Sequence, residues 1–437
     1  MFIKQIQLGL IHAAVAITLV PINSTLNRIM IEDMGMSAVL FVLLFSFPYL
    51  FSFIQMGIGS FSDRHPILGY RRTPYILIGL LLCVLGLFLA IQVALLIAVN
   101  FWAGLALGLL TFGAWGMGFN FATVSYFSLA SEISGERGRS KTTAVMFFVM
   151  IVSIILTAAS LSRMLDPFTP QRLQMSFQLV AIVALVIGLL GVFRLEPRTK
   201  ASPASAVRYP LTQIVRAVLS NRQVTLFFVY LILMLAAILG QDVLLEPFAA
   251  RAFNLPVEAT TRITSIWGVF YLVSLLVAGM LEGKIAKVTI ARAASWGAIV
   301  AFLLITISGL LSSQAVFYSG VVLLGLATGP ATVSNLSLML DMTIPGKVGL
   351  FIGAWGAASA LARLLGSFTT AVIRDLARFL PDAALYGYGA AFLVQALFLA
   401  ASLIILRRVN VAAFKREAGE MTFDPSVVER VAINSEA

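Results

Sequence analysis

Asp242 and Glu246 lie four residues apart in the run Gly240-Gln241-Asp242-Val-Leu-Leu-Glu246-Pro247-Phe248, which closes a long apolar segment. On one helix they share a face, and two carboxylates there repel unless a proton, a cation or an arginine is supplied. Arg363 sits deep inside another apolar segment, where an unpaired charge costs at least about 2.5 kcal/mol. These residue types predict an ion pair between Arg363 and Asp242 or Glu246. A second reading has the two acids cap the end of their segment at a surface and pair with Arg251 or Arg262. His12, Asn120, Gln241 and Asn335 are the other polar side chains with chemistry to offer inside apolar runs. There an imidazole or amide oxygen serves as a ligand for a hard metal and an imidazole or amide N–H as a donor to a bound carbonyl, or the group makes a helix-to-helix hydrogen bond.

The elements that hold these residues must cross a membrane. The 437 residues are 60% hydrophobic and 11% charged, with a mean hydropathy of +0.99. That is more apolar surface than one globular core can bury. Stretches long enough to cross about 30 Å of hydrocarbon as helix fall near 6–30, 37–60, 74–96, 98–128, 141–162, 174–193, 223–245, 262–281, 290–311, 315–341, 348–372 and 384–406. The expected fold is all-α and integral to the membrane, with twelve spans. The first span ends in Pro21-Ile-Asn-Ser-Thr-Leu-Asn-Arg28 without a small-residue cleavage site, so it reads as a retained span and not a signal peptide.

The net charge of +11 orients the chain and does not point to nucleic acid. With a cytoplasmic N-terminus, Lys4, the Arg64/Arg71/Arg72 loop, the Arg137/Arg139/Lys141 loop, the stretch Arg194 to Arg222, Lys284, Lys287, Arg292, Lys347 and the tail from Arg407 all fall on one side. This positive-inside bias predicts an inner-membrane protein with both termini in the cytoplasm. Cys83 is the single cysteine, so neither an intrachain disulfide nor a thiolate metal site can form. No metalloprotease, P-loop or dinucleotide motif is present, and an enzyme is not expected.

An internal repeat sets the architecture. Ala122-Thr-Val-Ser-Tyr-Phe-Ser-Leu-Ala-Ser-Glu-Ile-Ser134 recurs as Ala331-Thr-Val-Ser-Asn-Leu-Ser-Leu-Met-Leu-Asp-Met-Thr343, with Glu132 answered by Asp341 and Ser134 by Thr343. About six spans separate the copies, so the halves enter the membrane in the same orientation, a parallel repeat as in the major facilitator architecture. The expected division is 1–194 for the first six-helix bundle, 195–222 for a cytoplasmic linker rich in Pro, Ser and basic residues, 223–406 for the second bundle and 407–437 for a cytoplasmic tail.

After the second span, Gly59-Ser-Phe-Ser-Asp63-Arg64 and then Gly69-Tyr70-Arg71-Arg72 resemble the major facilitator loop motif of glycine, acid and paired basic residues. Gly59 permits close helix approach, and Asp63 can pair with an arginine or meet a helix N-terminus, latching the halves in one state. The alternative is that the arginines anchor the loop to anionic headgroups. Gly279-Met-Leu-Glu282-Gly-Lys284 is a weaker echo in the second half.

Three runs carry a more specific resemblance: Gln241-Asp-Val-Leu-Leu-Glu-Pro247, Leu26-Asn-Arg-Ile-Met30, and Ser62-Asp-Arg-His-Pro66 with Gly69-Tyr-Arg-Arg-Thr-Pro-Tyr75. With them the chain, from about residue 6 to 406, resembles the PucC family, the light-harvesting assembly and bacteriochlorophyll-delivery branch of the major facilitator superfamily. The resemblance implies a protein that helps pigment–protein complexes assemble, holding chlorophyll or bacteriochlorophyll and handing it to antenna polypeptides. Implied partners are membrane lipids, light-harvesting polypeptides and pigment-synthesis enzymes, and the one implied metal is the pigment magnesium. His12, Asn120, Gln241 and Asn335 are then the candidate pigment contacts. The alternative function is a secondary transporter or flippase of a lipophilic solute; fold alone does not decide between them.

Overall fold

The computed structural model describes residues 2–54, 58, 61–62, 65–198, 219, 221–281, 283–341, 348–377, 384–410 and 413–414. Gly59, Asp63 and Arg64 of the loop motif lie outside the described residues, as do Glu282 of its echo, Thr343 of the repeat, most of the linker and nearly all of the tail.

Eleven helices among the described residues are long and apolar enough to cross a membrane. Their starts follow local rules. Asn100, Thr169 and Asn221 each accept a backbone N–H of the first turn of their helix, and Pro170 occupies a first-turn position where its missing N–H costs nothing. Rows of apolar residues face outward: Leu179, Ile182, Val186 and Leu190 are all exposed along one side of the sixth span. That spacing makes a continuous stripe for lipid. The 64-residue stretch Phe101–Met164 contains the fourth and fifth spans, separated at Gly135, whose φ of 60° lies outside the helical region.

The second span is not the continuous helix that its hydropathy predicts. It crosses as Ala38–Phe45, Phe47–Leu50 and the tighter turn Phe51–Ile54. Pro48 supplies a cause, because it has no N–H for the helix ladder; its carbonyl accepts from Asn120 Nδ2 at 3.0 Å. The chain still reaches both faces. Ser37 binds Asp375 at one end, and Ser62 accepts from Arg72 at the other.

The first and seventh spans, which occupy corresponding places in the two halves, are both interrupted. The first runs as Phe2–Ile17, then as wide π turns at Pro21–Leu26 and Ile29–Asp33. The seventh runs as Arg222–Gly240, a 3-10 turn at Gln241–Val243, and Leu245–Phe253. Interrupted helices at equivalent positions of two repeats mark where a transporter fold exposes backbone and side chains to a ligand.

The other spans are Thr73–Val99, Pro170–Val192, Val257–Leu281, Lys287–Leu310, Gln314–Asp341, Val348–Ala377 and Ala384–Leu406. The chain begins and ends its spanning body on the same face, called here the terminal face. Among the described residues, most hydrogen bonds joining the halves lie towards the opposite face.

Candidate functional site

The break in the seventh span falls between the two acids. Asp242 lies in the 3-10 turn and Glu246 in the helix after it, so they point to different neighbours. Arg363 Nη1 donates to Asp242 Oδ2 at 2.7 Å, whereas Glu246 Oε1 accepts from Thr264 Oγ1 at 2.7 Å. The two acids thus take different hydrogen-bond partners. Neither acid is paired with Arg251 or Arg262 among the described residues.

The pair sits at mid-depth. Asp242 stands 20 residues after Arg222 and 11 before Phe253, while Arg363 stands 15 after Val348 and 14 before Ala377. Close approach of the seventh and eleventh spans makes this reach possible. A Cβ on Gly366 would lie 2.1 Å from the Ala236 carbonyl oxygen, so only glycine fits there. Tyr49, from the first half, lays its ring 4.9 Å from the guanidinium carbon of Arg363. Gln241 Nε2 donates to Asp242 Oδ1 at 2.7 Å, and Gln241 Oε1 is buried with no hydrogen-bond partner. The pair is not sealed, for the two side chains keep 18% and 25% of their surface.

Asn27 completes the arrangement from the interrupted first span. Its Nδ2 donates to the Asp242 and Val243 carbonyls at 3.1 and 3.3 Å, the groups that the 3-10 turn leaves without helical donors. Thr25, two residues before Asn27, shares a hydrogen bond with Thr261 at 3.0 Å. Broken backbone in one half is therefore satisfied by a side chain from the break in the other.

The remaining polar candidates occupy more closed sites. His12 is 7% exposed, with the rings of Tyr126, Phe127 and Phe147 centred 5.1 to 5.5 Å from the imidazole. Its Nδ1 has no partner, but a flat macrocycle cannot reach it without displacing those rings. Asn120 is fully buried and donates to the Pro48 and Gly116 carbonyls, stitching the second span to the fourth. Asn335 donates to Ala331 O at 2.7 Å and lies beside Tyr230 and Ser295. The structure thus brings Gln241, Asp242 and Arg363 together and leaves His12, Asn120 and Asn335 in separate packing sites.

The repeat acids have matching neighbours. Glu132 accepts from Arg72 at 2.9 Å, with Arg71 3.9 Å away, and Asp341 accepts from Lys287 Nζ at 2.8 Å. Each acid ends the fourth span of its half and meets the start of the third. These bonds tie helices within a half. Glu196 adds a feature that sequence reading missed. Its carboxylate accepts the backbone N–H groups of Arg71, Arg72 and Thr73, capping the third span from the end of the sixth.

A second missed cluster lies on the opposite face. Arg374 donates to Glu32 Oε1 at 3.0 Å and to Asp375 Oδ1 at 3.0 Å, and Tyr388 donates to the same Glu32 oxygen. Asp375 in turn accepts from Ser37 Oγ and from the backbone N–H groups of Ala38 and Val39 at 2.6 to 3.1 Å. Arg28 pairs with Asp33 and reaches the Leu255 carbonyl. Ser37 before an apolar run was a legible helix cap; its distant acid was not.

The PUCC protein family profile matches residues 25–414, which contain every residue of this site. The chain belongs to the PucC family. Among its relatives, the PucC protein of Rhodobacter capsulatus is 27% identical over 414 residues, covering 91% of this chain and 90% of that one. The bacteriochlorophyll synthase 44.5 kDa chain of Rhodobacter capsulatus is 28% identical over 395 residues, covering 88% and 91%. Two solved structures of low identity establish the fold of this PucC-family chain. The nucleoside transporter NupG superposes with a TM-score of 0.69 at 12% identity, covering 93% of this chain and 98% of its own. The xylose transporter XylE of E. coli, in an inward open conformation, gives 0.63 at 15%, covering 91% and 94%. The PucC-family chain is thus a multi-pass membrane protein of major facilitator architecture.

Proposed function

We propose that the protein is a membrane assembly factor for photosynthetic light-harvesting complexes, holding a chlorophyll-type pigment and delivering it to antenna polypeptides without chemically changing it. The family match across residues 25–414 carries this reading. The basic-residue bias supports placing both termini in the cytoplasm, with the hydrogen-bonded face around Glu32, Arg374 and Asp375 on the other side of the membrane.

Of the candidate residues, Gln241 offers the donor chemistry that a pigment magnesium takes. Its orphaned Oε1 is an oxygen donor of the hard type that magnesium takes as an axial ligand, and it adjoins the part-exposed Arg363–Asp242 pair. His12 does not fit in this conformation, because its three aromatic neighbours enclose it. When bound, the pigment would supply light absorption, and Gln241 with the Arg363–Asp242 pair would supply polar anchors.

A second reading, transport of a lipophilic solute by alternating access, is favoured by the gathering of inter-half hydrogen bonds on one face. Deleting the gene in its photosynthetic host separates the two. The assembly reading predicts loss of antenna absorbance while pigment synthesis continues, restored by the wild-type gene. Unchanged antenna absorbance in the deletion strain would overturn it.

A further inference from the structure

Arg363 offers five N–H donors, and its single hydrogen bond among the described residues is the one to Asp242 Oδ2. Tyr49 covers a face of the guanidinium but leaves the donors at its edge free for an acceptor. A guanidinium at mid-membrane with most of its donors unmet, and 18% of its side chain accessible, is poorly explained as a structural strut. Such struts are closed on both sides and fully hydrogen-bonded.

The same face of the eleventh span carries a second unmet donor. Trp355, Ser359 and Arg363 follow at four-residue steps and so align along one side of the helix. Ser359 turns inward onto the Trp355 carbonyl at 2.8 Å, while Trp355 Nε1 is buried with no acceptor. Two donor positions thus stand about 12 Å apart along the helix. Opposite Arg363, the second span presents Tyr49, whose ring is followed at 6.1 Å by that of Phe45 in the direction of Asp375.

Charge decides which acceptor belongs there. Arg363 is already neutralised by Asp242 at 2.7 Å. A ligand carboxylate would bring the site to a net negative charge in a low-dielectric setting, and its desolvation would not be repaid. A ketone or ester oxygen satisfies the same donors with no charge to desolvate.

We propose that the Arg363–Asp242 pair with Trp355 is a selectivity clamp for uncharged, carbonyl-bearing amphipathic ligands, admitting an esterified molecule and disfavouring its free acid. The clamp deepens the pigment-holding reading above and rests on it for the identity of the ligand. In the assembly role it gives the protein a means of accepting pigment only after its acid side chain has been esterified.

The test uses the full-length protein in lipid nanodiscs and two pairs of probes, with binding read by quenching of tryptophan fluorescence. One pair is chlorophyll a and chlorophyllide a, the ester and free acid of the same ring. The other is pyrenedecanoic acid methyl ester and pyrenedecanoic acid, which carry no magnesium macrocycle. The wild type is expected to favour the ester by about tenfold or more. Asp242→Asn leaves Arg363 unbalanced and should reverse the preference towards the acid. The double variant Asp242→Asn/Arg363→Gln, which carries no unpaired charge, should show no preference and weaker binding of both forms, and elution at the wild-type position on size exclusion reports its folding. Preference for the acid in the wild type, a preference unmoved by Asp242→Asn, or binding indifferent to both variants would overturn the clamp. If neither ring compound binds while the pyrene pair shows the preference and its reversal, the clamp stands and the pigment reading falls.

Discussion

Arg363 shows why a charge can be legible in a membrane sequence. A lone guanidinium in the middle of an apolar segment demands an acid, and only a few were within reach of the second half of the chain. Which acid it meets was not legible. That choice depends on the 3-10 turn that directs Asp242 to Arg363 and Glu246 to Thr264. Arg363→Gln should strand Asp242 and lower stability by about 1–3 kcal/mol, below the about 3–5 kcal/mol typical of a fully buried pair, because both partners retain some exposure. Thermal unfolding in detergent should show a lower Tm for the single variant and substantial recovery in Asp242→Asn/Arg363→Gln. Equal loss in single and double variants would mean that the pair is not coupled. Glu32 and Arg374 were less legible than Arg363. They stand at span ends, where charges are ordinarily solvated, and nothing in their spacing says that they meet across 342 residues.

At the scale of elements, the interruptions in the first and seventh spans belong together. Hydropathy reads both as ordinary spans, since π and 3-10 turns do not change composition; Pro21 and Pro247 were the visible hints. Asn27 joins the two breaks. Replacing it with Ala should leave the Asp242 and Val243 carbonyls unsatisfied and cost about 1–3 kcal/mol, read as a fall in Tm with no change in expression of the first-half helices. The glycine contact behind the pair makes a sharper prediction. Gly366→Ala places a methyl against the Ala236 carbonyl, and the seventh and eleventh spans must separate at a cost of about 1–3 kcal/mol. The same variant should weaken the Arg363–Asp242 pair, so Gly366→Ala and Arg363→Gln should be non-additive when combined. Simple addition of their effects would show that the crossing does not position the pair. The duplication was the most informative element-scale signal, because Glu132 and Asp341 stand at equivalent helix ends and meet basic residues at equivalent helix starts.

For the whole molecule, the network around Arg374, Glu32, Asp375 and Tyr388 holds the two halves together on the face away from the termini. Arg374→Gln should favour opening of that face. Spin labels on Met36→Cys and Asn254→Cys, which lie in the loops beside the network, should report a longer-distance population in the variant than in the parent. An unchanged distribution would mean that the network does not govern opening. The twelve-span plan was readable from hydropathy and the repeat, whereas the closed face depends on contacts between distant loops and was not. The most direct measurement for the account as a whole is the pigment content of the protein purified in mild detergent from a pigment-producing host, beside an equally expressed unrelated transporter of the same fold. The account predicts chlorophyll-type pigment in stoichiometric amount, reduced by Gln241→Leu and by Arg363→Gln. Protein that purifies in equal yield with no more pigment than the unrelated transporter would contradict it.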